Sequence, residues 1–264
     1  MKKWTYRFMI ELTNHRFLSL SIKKFAQSKI SKPFIKSYAK VYQINQEEMQ
    51  QELHTFSTLH DLFTRKLKTD VRKIGNEKDA VISPVDGVIE DCGEITTQKE
   101  LVVKGKSYSM SEMVGNEENV EKYIGGTFII LYLSPRHYHR IHSPVTGEIV
   151  NEFSLGTKSY PVNRLGLKYG KSPLSKNYRM ISEIVHDKGS LFLVKVGAMY
   201  INSIEKTTQS NFLKKGEEVA YFSFGSTVVL LFEKDTFILK NDLQTPTDVR
   251  MGEVLGYLKD KKCL

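Results

Sequence analysis

Cysteine is nearly absent: Cys92 and Cys263 are the two in 264 residues. That excludes a disulfide framework and fits a reducing compartment. The first 40 residues contain no glycine and a single acid, Glu11. No apolar run approaches the roughly 18–20 residues a bilayer-spanning helix requires. The opening Met-Lys-Lys imitates a secretory leader, but Glu11, Asn14, His15 and Arg16 interrupt the apolar run a leader needs. The Gly-x-Ser-x-Gly elbow of the common esterases is missing as well, because residues 223–227 read Ser-Phe-Gly-Ser-Thr.

What is present suits a folded protein with a substantial core. Apolar residues make up 40% of the chain, with 14 phenylalanines and 13 tyrosines. The length allows one large domain, or one domain plus an appendage. The net charge of +9 is concentrated in residues 1–40, which hold ten lysines and arginines; residues 41–264 carry 29 basic and 29 acidic side chains. A basic arm of this kind has anionic lipid or nucleic acid as its candidate partners, or else presents a solvated helix face. It contains no recognisable nucleic-acid-reading motif, which weighs against that partner. Within "MKKWTYRFMIELTNHRFLSLSIKKF", Phe8, Met9, Leu12, Phe17, Leu20 and Phe25 recur at steps of three to five. The pattern predicts an amphipathic helix lying in a membrane interface, anchored by Trp4 and Tyr6.

Residues 1 to about 70 read as helical, with "NQEEMQQELHTFSTLHDLFTRKL" as a second helical stretch after Pro33. From Val81 onward, short β-branched and aromatic runs alternate with glycine and polar turns. The predicted fold is α+β. N-terminal amphipathic helices over 1–70 are followed by a β-rich, barrel- or sandwich-like catalytic domain over 71–264. Residues 155–190 read as the least regular part, a mobile loop. An internal echo, "SPVDGVI" (83–89) and "SPVTGEI" (143–149), predicts duplicated β units. In each copy Pro fixes φ and Gly admits a positive φ at a turn feeding a strand. Turn chemistry alone does not explain why one copy holds Asp86 where the other holds Thr146.

Two segments could carry chemistry. In "AYFSFGSTVVLLFEK" (220–234), Gly225-Ser226-Thr227 interrupts an otherwise apolar strand. The interruption is either a bulge or a reactive peptide bond. In "SPRHYHRIHSPVTG", His137, His139 and His142 follow an apolar strand end, where side chains reach a cleft. A His-x-His-x-x-His metal site would lack a nearby cysteine or clustered acid to complete it. Proton transfer suits one or two of these imidazoles, and structural histidines are the plain alternative. Asp86, a histidine and Ser226 are the elements of an Asp-His-Ser triad, which geometry must bring together.

Taken together these stretches resemble the phosphatidylserine decarboxylase family. Gly225-Ser226-Thr227 matches its processing motif, within "KKGEEVAYFSFGSTVVLLFE". "SPVDGVI" is similar to the segment holding its catalytic aspartate, hence Asp86. "YLSPRHYHRIHSPVTGEI" matches its histidine segment, with His142 as the triad histidine and His139 as the one linked to decarboxylation. "LFTRKL" and "VGAMYINSI" are further matches. The likeness spans about residues 55–264. It departs at Phe224, where leucine is common, at Tyr178 between Asn177 and Arg179, where glutamate is usual, and at Asn202, where glycine is frequent.

The resemblance implies a zymogen that cleaves itself between Gly225 and Ser226. The Asp86–His142 pair would deprotonate Ser226 Oγ, which attacks the Gly225 carbonyl and converts the amide to an ester. Elimination then leaves dehydroalanine, and hydrolysis yields ammonia and a pyruvoyl group on what was Ser226. The implied cofactor is this covalent pyruvoyl group, which would form a Schiff base with the serine amine of phosphatidylserine and act as electron sink. Carbon dioxide leaves and phosphatidylethanolamine is released, with His139 handling the proton or the carboxylate. The pieces 1–225 and 226–264 are expected to remain together as a heterodimer, their strands sharing one sheet and core.

The expected partners are phosphatidylserine and an anionic membrane surface, at the cytoplasmic face of the cell membrane. A second copy of the chain is an open option, and nucleic acid is not expected. The competing readings are a serine hydrolase using Asp86, His142 and Ser226, and a lipoyl- or phosphocarrier-like β module. Neither Ser-Pro-Val echo is followed by the lysine a lipoyl carrier needs.

Overall fold

The computed structural model describes residues 16–115, 120–198, 204–223, 226–241 and 243–260. The helices are α1 (Arg16–Gln27), α2 (Ile35–Val41), α3 (Leu59–Phe63), α4 (Met110–Val114), α5 (Arg164–Tyr169) and α6 (Pro173–Lys176). The first eight strands are β1 (Ala80–Ile82), β2 (Gly87–Glu94), β3 (Glu100–Val103), β4 (Lys106–Ser109), β5 (Thr127–Leu133), β6 (Arg140–His142), β7 (Gly147–Leu155) and β8 (Arg179–His186). The others are β9 (Gly189–Gly197), β10 (Ile204–Lys206), β11 (Phe212–Leu213), β12 (Glu218–Phe222), β13 (Ser226–Phe232), β14 (Phe237–Leu239), β15 (Thr247–Val249) and β16 (Val254–Leu258).

An eight-stranded antiparallel sheet, ordered β11-β7-β8-β9-β13-β5-β2-β15, is the backbone of the fold. Two three-stranded sheets, β1-β16-β14 and β10-β12-β6, share an apolar core with one of its faces. The β3-β4 hairpin and helices α4, α5 and α6 pack on the other face. With both faces covered, the central strand β13 is buried at all seven positions. This explains why its sequence reads as a continuous apolar run rather than an alternation. Each large aliphatic side chain there contributes about 1.5–3 kcal/mol by leaving water.

The α+β class is as expected, but the sheet does not close into a barrel. Its edge strands β11 and β15 have two and three residues, too short to pair around a cylinder. Residues 155–190 are not a loop throughout. They contain α5, α6, the whole of β8 and the start of β9, with Leu167 and Leu174 buried. Asn177 ties the stretch down, its amide donating to the Tyr160 and Gly197 carbonyls at 2.8 and 2.9 Å.

The second helical stretch is shorter than periodicity suggested. Met49 bridges Leu67, and only α3 is α-helical there, capped by the Thr58 side chain accepting from Asp61 N. Residues 35–62 gather a small apolar cluster of their own, from Ile35 to Leu62. The predicted interfacial residues Trp4, Tyr6, Phe8, Met9 and Leu12 lie outside the described residues, as do Gly225, Phe224 and Asn202.

Candidate active site

Ser226 opens β13, opposite Leu133 at the end of β5 and Gly197 at the end of β9. It is 0% exposed, and its Oγ has no hydrogen-bond partner among the described residues. A buried hydroxyl left unpaired costs about 1–3 kcal/mol, a cost that Ser226 shares with the neighbouring Thr227. The chain reaches Ser226 from β12, which belongs to a different sheet. Between the end of β12 and Ser226 the chain therefore passes from the small sheet to the large one. The expectation that strands flanking the Gly225–Ser226 junction share a sheet is corrected to a shared core, in which Phe222 packs with Val228 and Leu230. The segment after the junction is held firmly, since β13 lies between β5 and β9 and β16 between β1 and β14.

The histidine segment is pinned to β12. The Phe222 N–H donates to the His139 carbonyl at 2.9 Å, and β6 pairs with β12 so that His142 lies opposite Glu218. The His139 ring is completely buried against Phe63, with ring centroids 3.9 Å apart. Its Nδ1 lies 2.9 Å from the His137 carbonyl. A carbonyl has no proton to give, so Nδ1 carries the hydrogen and Nε2 is a lone pair. That Nε2 is buried and has no partner among the described residues. Burial, reinforced by the Arg65 charge, holds this imidazole well below its ordinary pKa.

His142 has the same tautomer by the same logic. Its Nδ1 donates to the Gly216 carbonyl at 2.8 Å, and its Nε2 meets the Tyr138 hydroxyl at 3.3 Å. Burial lowers its pKa, opposed by the Gly216 carbonyl, Glu218 and Asp86. His137 turns elsewhere, its Nδ1 accepting from Ser134 N at 3.0 Å. The three imidazoles point to three different partners, and among the described residues no three His, Cys, Asp or Glu side chains converge as metal ligands.

Asp86 sits in the first echo turn, between β1 and β2. The two turns lock together backbone to backbone: Ile82 N donates to the Pro144 carbonyl at 3.1 Å, and His142 N to the Pro84 carbonyl at 2.8 Å. Further bonds come in matched pairs. Ser83 Oγ donates to the Val85 carbonyl at 2.7 Å, and Ser143 Oγ to the Val145 carbonyl at 2.6 Å. Asp86 Oδ1 accepts from Met251 N at 2.9 Å, where Thr146 Oγ1 accepts from Lys215 N at 3.0 Å.

This framework places Asp86 within electrostatic reach of His142, but no hydrogen bond joins them. The carboxylate is held by Arg72, through Nε at 2.8 Å and Nη2 at 2.5 Å. The expected orientation of the His142 ring by Asp86 is thus performed by the Gly216 carbonyl. Arg72, Tyr138 and Gly216 were not singled out from the sequence. Tyr138 lies inside the histidine cluster, and Gly216 precedes β12 in a left-handed conformation (φ +83°), the signal a lone glycine in "KKGEE" offers.

A buried hydroxyl with no partner among the described residues, two imidazoles whose pKa burial lowers and a clamped carboxylate are groups suited to proton transfer, on an α+β frame. The family model described as phosphatidylserine decarboxylase matches residues 59–257. A phosphatidylserine decarboxylase proenzyme of Anoxybacillus flavithermus (strain DSM 21510 / WK1) is 59% identical over 99% of both chains. Proteins of the same name are 58% identical in Geobacillus sp. (strain WCH70), over 98% of this chain and 100% of the relative, and 54% identical in Bacillus anthracis, over 97% and 98%. The chain belongs to the phosphatidylserine decarboxylase family.

Proposed function

We propose that this chain is a self-processing decarboxylase that converts phosphatidylserine to phosphatidylethanolamine and carbon dioxide, using a pyruvoyl group made from Ser226. The observation that carries this reading is the Ser226 hydroxyl, buried and without a partner among the described residues at the crossover between two sheets, in a chain of this family. Proximity replaces substrate binding in the cleavage step, where a positioned intramolecular attack is worth on the order of 7–11 kcal/mol.

His142 serves as the base. With its Nδ1–H committed to the Gly216 carbonyl, Nε2 keeps the lone pair that takes the Ser226 proton. Asp86 favours the imidazolium that forms, acting through space in the arrangement described. The Oγ–carbonyl bond forms as the Gly225–Ser226 amide breaks, and the proton held by His142 passes to the Ser226 nitrogen that leaves as an amine. The ester then eliminates across Cα–Cβ, and water releases ammonia. The site residues suit the product: Ser226 is unengaged, and the free His139 Nε2 belongs to the segment bonded to β12. Once formed, the pyruvoyl carbonyl supplies the electron sink for decarboxylation. His139, neutral and shielded from water by Phe63, takes a proton at Nε2 and returns it after carbon dioxide has left.

The matched bonding of the Ser-Pro-Val turns supports duplicated β units, one of which acquired Asp86 in place of Thr146. The first 70 residues serve as a membrane-associating arm and residues 71–264 as the catalytic part. Among the described residues no helix is long and apolar enough to cross a membrane. Ile30 and Phe34 are 73% and 51% exposed beside the exposed lysines Lys29, Lys32 and Lys36. Such a surface suits a peripheral position on the anionic cytoplasmic leaflet.

Mass spectrometry tests the reading. The purified protein should yield a 39-residue piece beginning at 226 with a pyruvoyl-blocked terminus, and Ser226→Ala should remain one inactive chain. An active enzyme with an unbroken chain overturns it.

A further inference from the structure

Arg65, just after α3, is 4% exposed, yet among the described residues no carboxylate bonds to it. Nη1 donates to the Leu62 carbonyl at 3.3 Å, and Nη2 to the carbonyls of Arg136 and His137 at 2.8 and 3.0 Å. Its Nε has no partner among the described residues. Arg72, Arg136 and Arg140, by contrast, each meet a carboxylate. Burying a guanidinium that bonds only to carbonyls, with Asp86 and Glu48 helping only through space, is expensive, and a residue kept under those terms needs a reason.

The reason lies in a shared acceptor. The His137 carbonyl receives Arg65 Nη2 at 3.0 Å and His139 Nδ1 at 2.9 Å. Phe63, two residues before Arg65, covers the His139 ring. The short segment "FTR" therefore supplies both the plate behind this imidazole and the clamp on the carbonyl that selects its tautomer. We propose that Arg65 is a positioning residue for His139, holding the carbonyl that keeps Nδ1 protonated and leaves Nε2 free to exchange the proton of decarboxylation.

The positive charge has a second effect. Among the described residues the charged and titratable groups acting on His139 are Arg65, from the segment after α3, and His137, from its own loop, while β12 meets it through the Phe222 backbone. Both side chains disfavour the imidazolium, in addition to burial. Arg65 thereby helps keep His139 neutral. This inference rests on the assignment of His139 to decarboxylation.

The test compares Arg65→Lys with Arg65→Gln in the full chain, on phosphatidylserine vesicles. Both should still yield the two fragments. Lys retains the charge but not the fork, so kcat should fall on the order of 10- to 100-fold with the acidic limb of the pH profile unmoved. Gln removes the charge as well, so His139 protonates more readily and the acidic limb should move to higher pH. Equal kcat in both variants and wild type, or losses that merely follow melting temperature without any shift of the limb, overturns the proposal.

Histidine C2-hydrogen exchange, followed by mass spectrometry on the uncleaved Ser226→Ala chain, reads His139 directly without activity. It should report His139 neutral well below pH 6.5, and ordinary titration near 6.5 overturns the proposal even if the Arg65 variants do not fold. His139→Ala separates the two ideas. Normal decarboxylation by that variant removes the role of His139 itself. An inactive His139→Ala beside normal Arg65 variants removes only the role of Arg65.

Discussion

The Arg72 guanidinium grips both oxygens of Asp86, Nε to Oδ1 at 2.8 Å and Nη2 to Oδ2 at 2.5 Å, and its Nη2 also reaches Glu48 at 2.7 Å. Both side chains of the pair are less than a tenth exposed. An acid expected to serve a histidine is thus held by an arginine that itself bridges to Glu48, well before β1.

Breaking a buried pair by removing one partner costs about 3–5 kcal/mol, because the other charge is left uncompensated. Arg72→Gln in the Ser226→Ala background should lower the urea unfolding free energy by that order. In the cleavage-competent chain it should also slow appearance of the 226–264 fragment. Asp86→Asn should slow cleavage at a smaller stability cost, because the amide oxygen can still accept from Met251 N. Unchanged cleavage in both variants would separate this pair from processing.

Gly216 offers a different lever on the same step. Its φ of +83° is one that side chains rarely adopt, and an added Cβ would stand 3.0 Å from Ile74. Gly216→Ala should cost about 1–2 kcal/mol from backbone strain. It should also turn the carbonyl that orients His142 Nδ1. Cleavage should slow more than the stability loss explains, measured as fragment formation against time at a temperature where both chains are fully folded.

The buried imidazoles make stability fall toward acid. Burial, then the Arg136 charge, brings His137 down to about 4, and burial lowers His139 and His142 as well. In the unfolded chain they titrate near 6.5, so the unfolded state binds the extra protons below that pH. The folded state gains nothing from this and loses about 1.4 kcal/mol per group for each pH unit. The contribution is intact above about 6.5 and is lost progressively below it, reaching down to about 4 for His137. The urea midpoint of Ser226→Ala should therefore drop between pH 7.5 and pH 5 by more than one histidine accounts for. A flat midpoint over that range contradicts the neutral tautomers described above.

The exposed apolar residues of the arm should govern lipid association. Replacing Ile30 and Phe34 with Asn removes side chains each worth about 1.5–3 kcal/mol when buried in the interface. Co-sedimentation with phosphatidylserine-containing vesicles should weaken at least tenfold, with fragment formation unaffected. Changing Lys29, Lys32 and Lys36 to Gln should instead reduce the salt sensitivity of binding, each lysine contributing roughly 1 kcal/mol. Wild-type binding by both sets would place the membrane contact elsewhere.

Much of this protein was legible in one dimension because it depends on local pattern. The unbroken apolar run after Ser226 announced a strand buried on both faces, and β13 is that strand. The five-residue match between the two Ser-Pro-Val turns anticipated their matched hydrogen bonds. Residues 45–67 and 155–190 were misread because both carry mixed polar and apolar residues. Their outcome hung on a distant bridge, Met49 to Leu67, and on Asn177 reaching Tyr160 and Gly197.

What the chain determined by itself was the chemistry available: a hydroxyl behind a glycine, three histidines after a strand, an acid in a turn, and a basic arm. Only the tertiary structure decided who holds whom. Asp86 went to Arg72 and to Met251, 165 positions away, and His142 went to the carbonyl of Gly216, 74 positions away. Periodicity and turn propensity act over a few residues. Partners this far apart are chosen by sheet register and by the requirement that buried polar groups be satisfied, which exist only once the layers have packed.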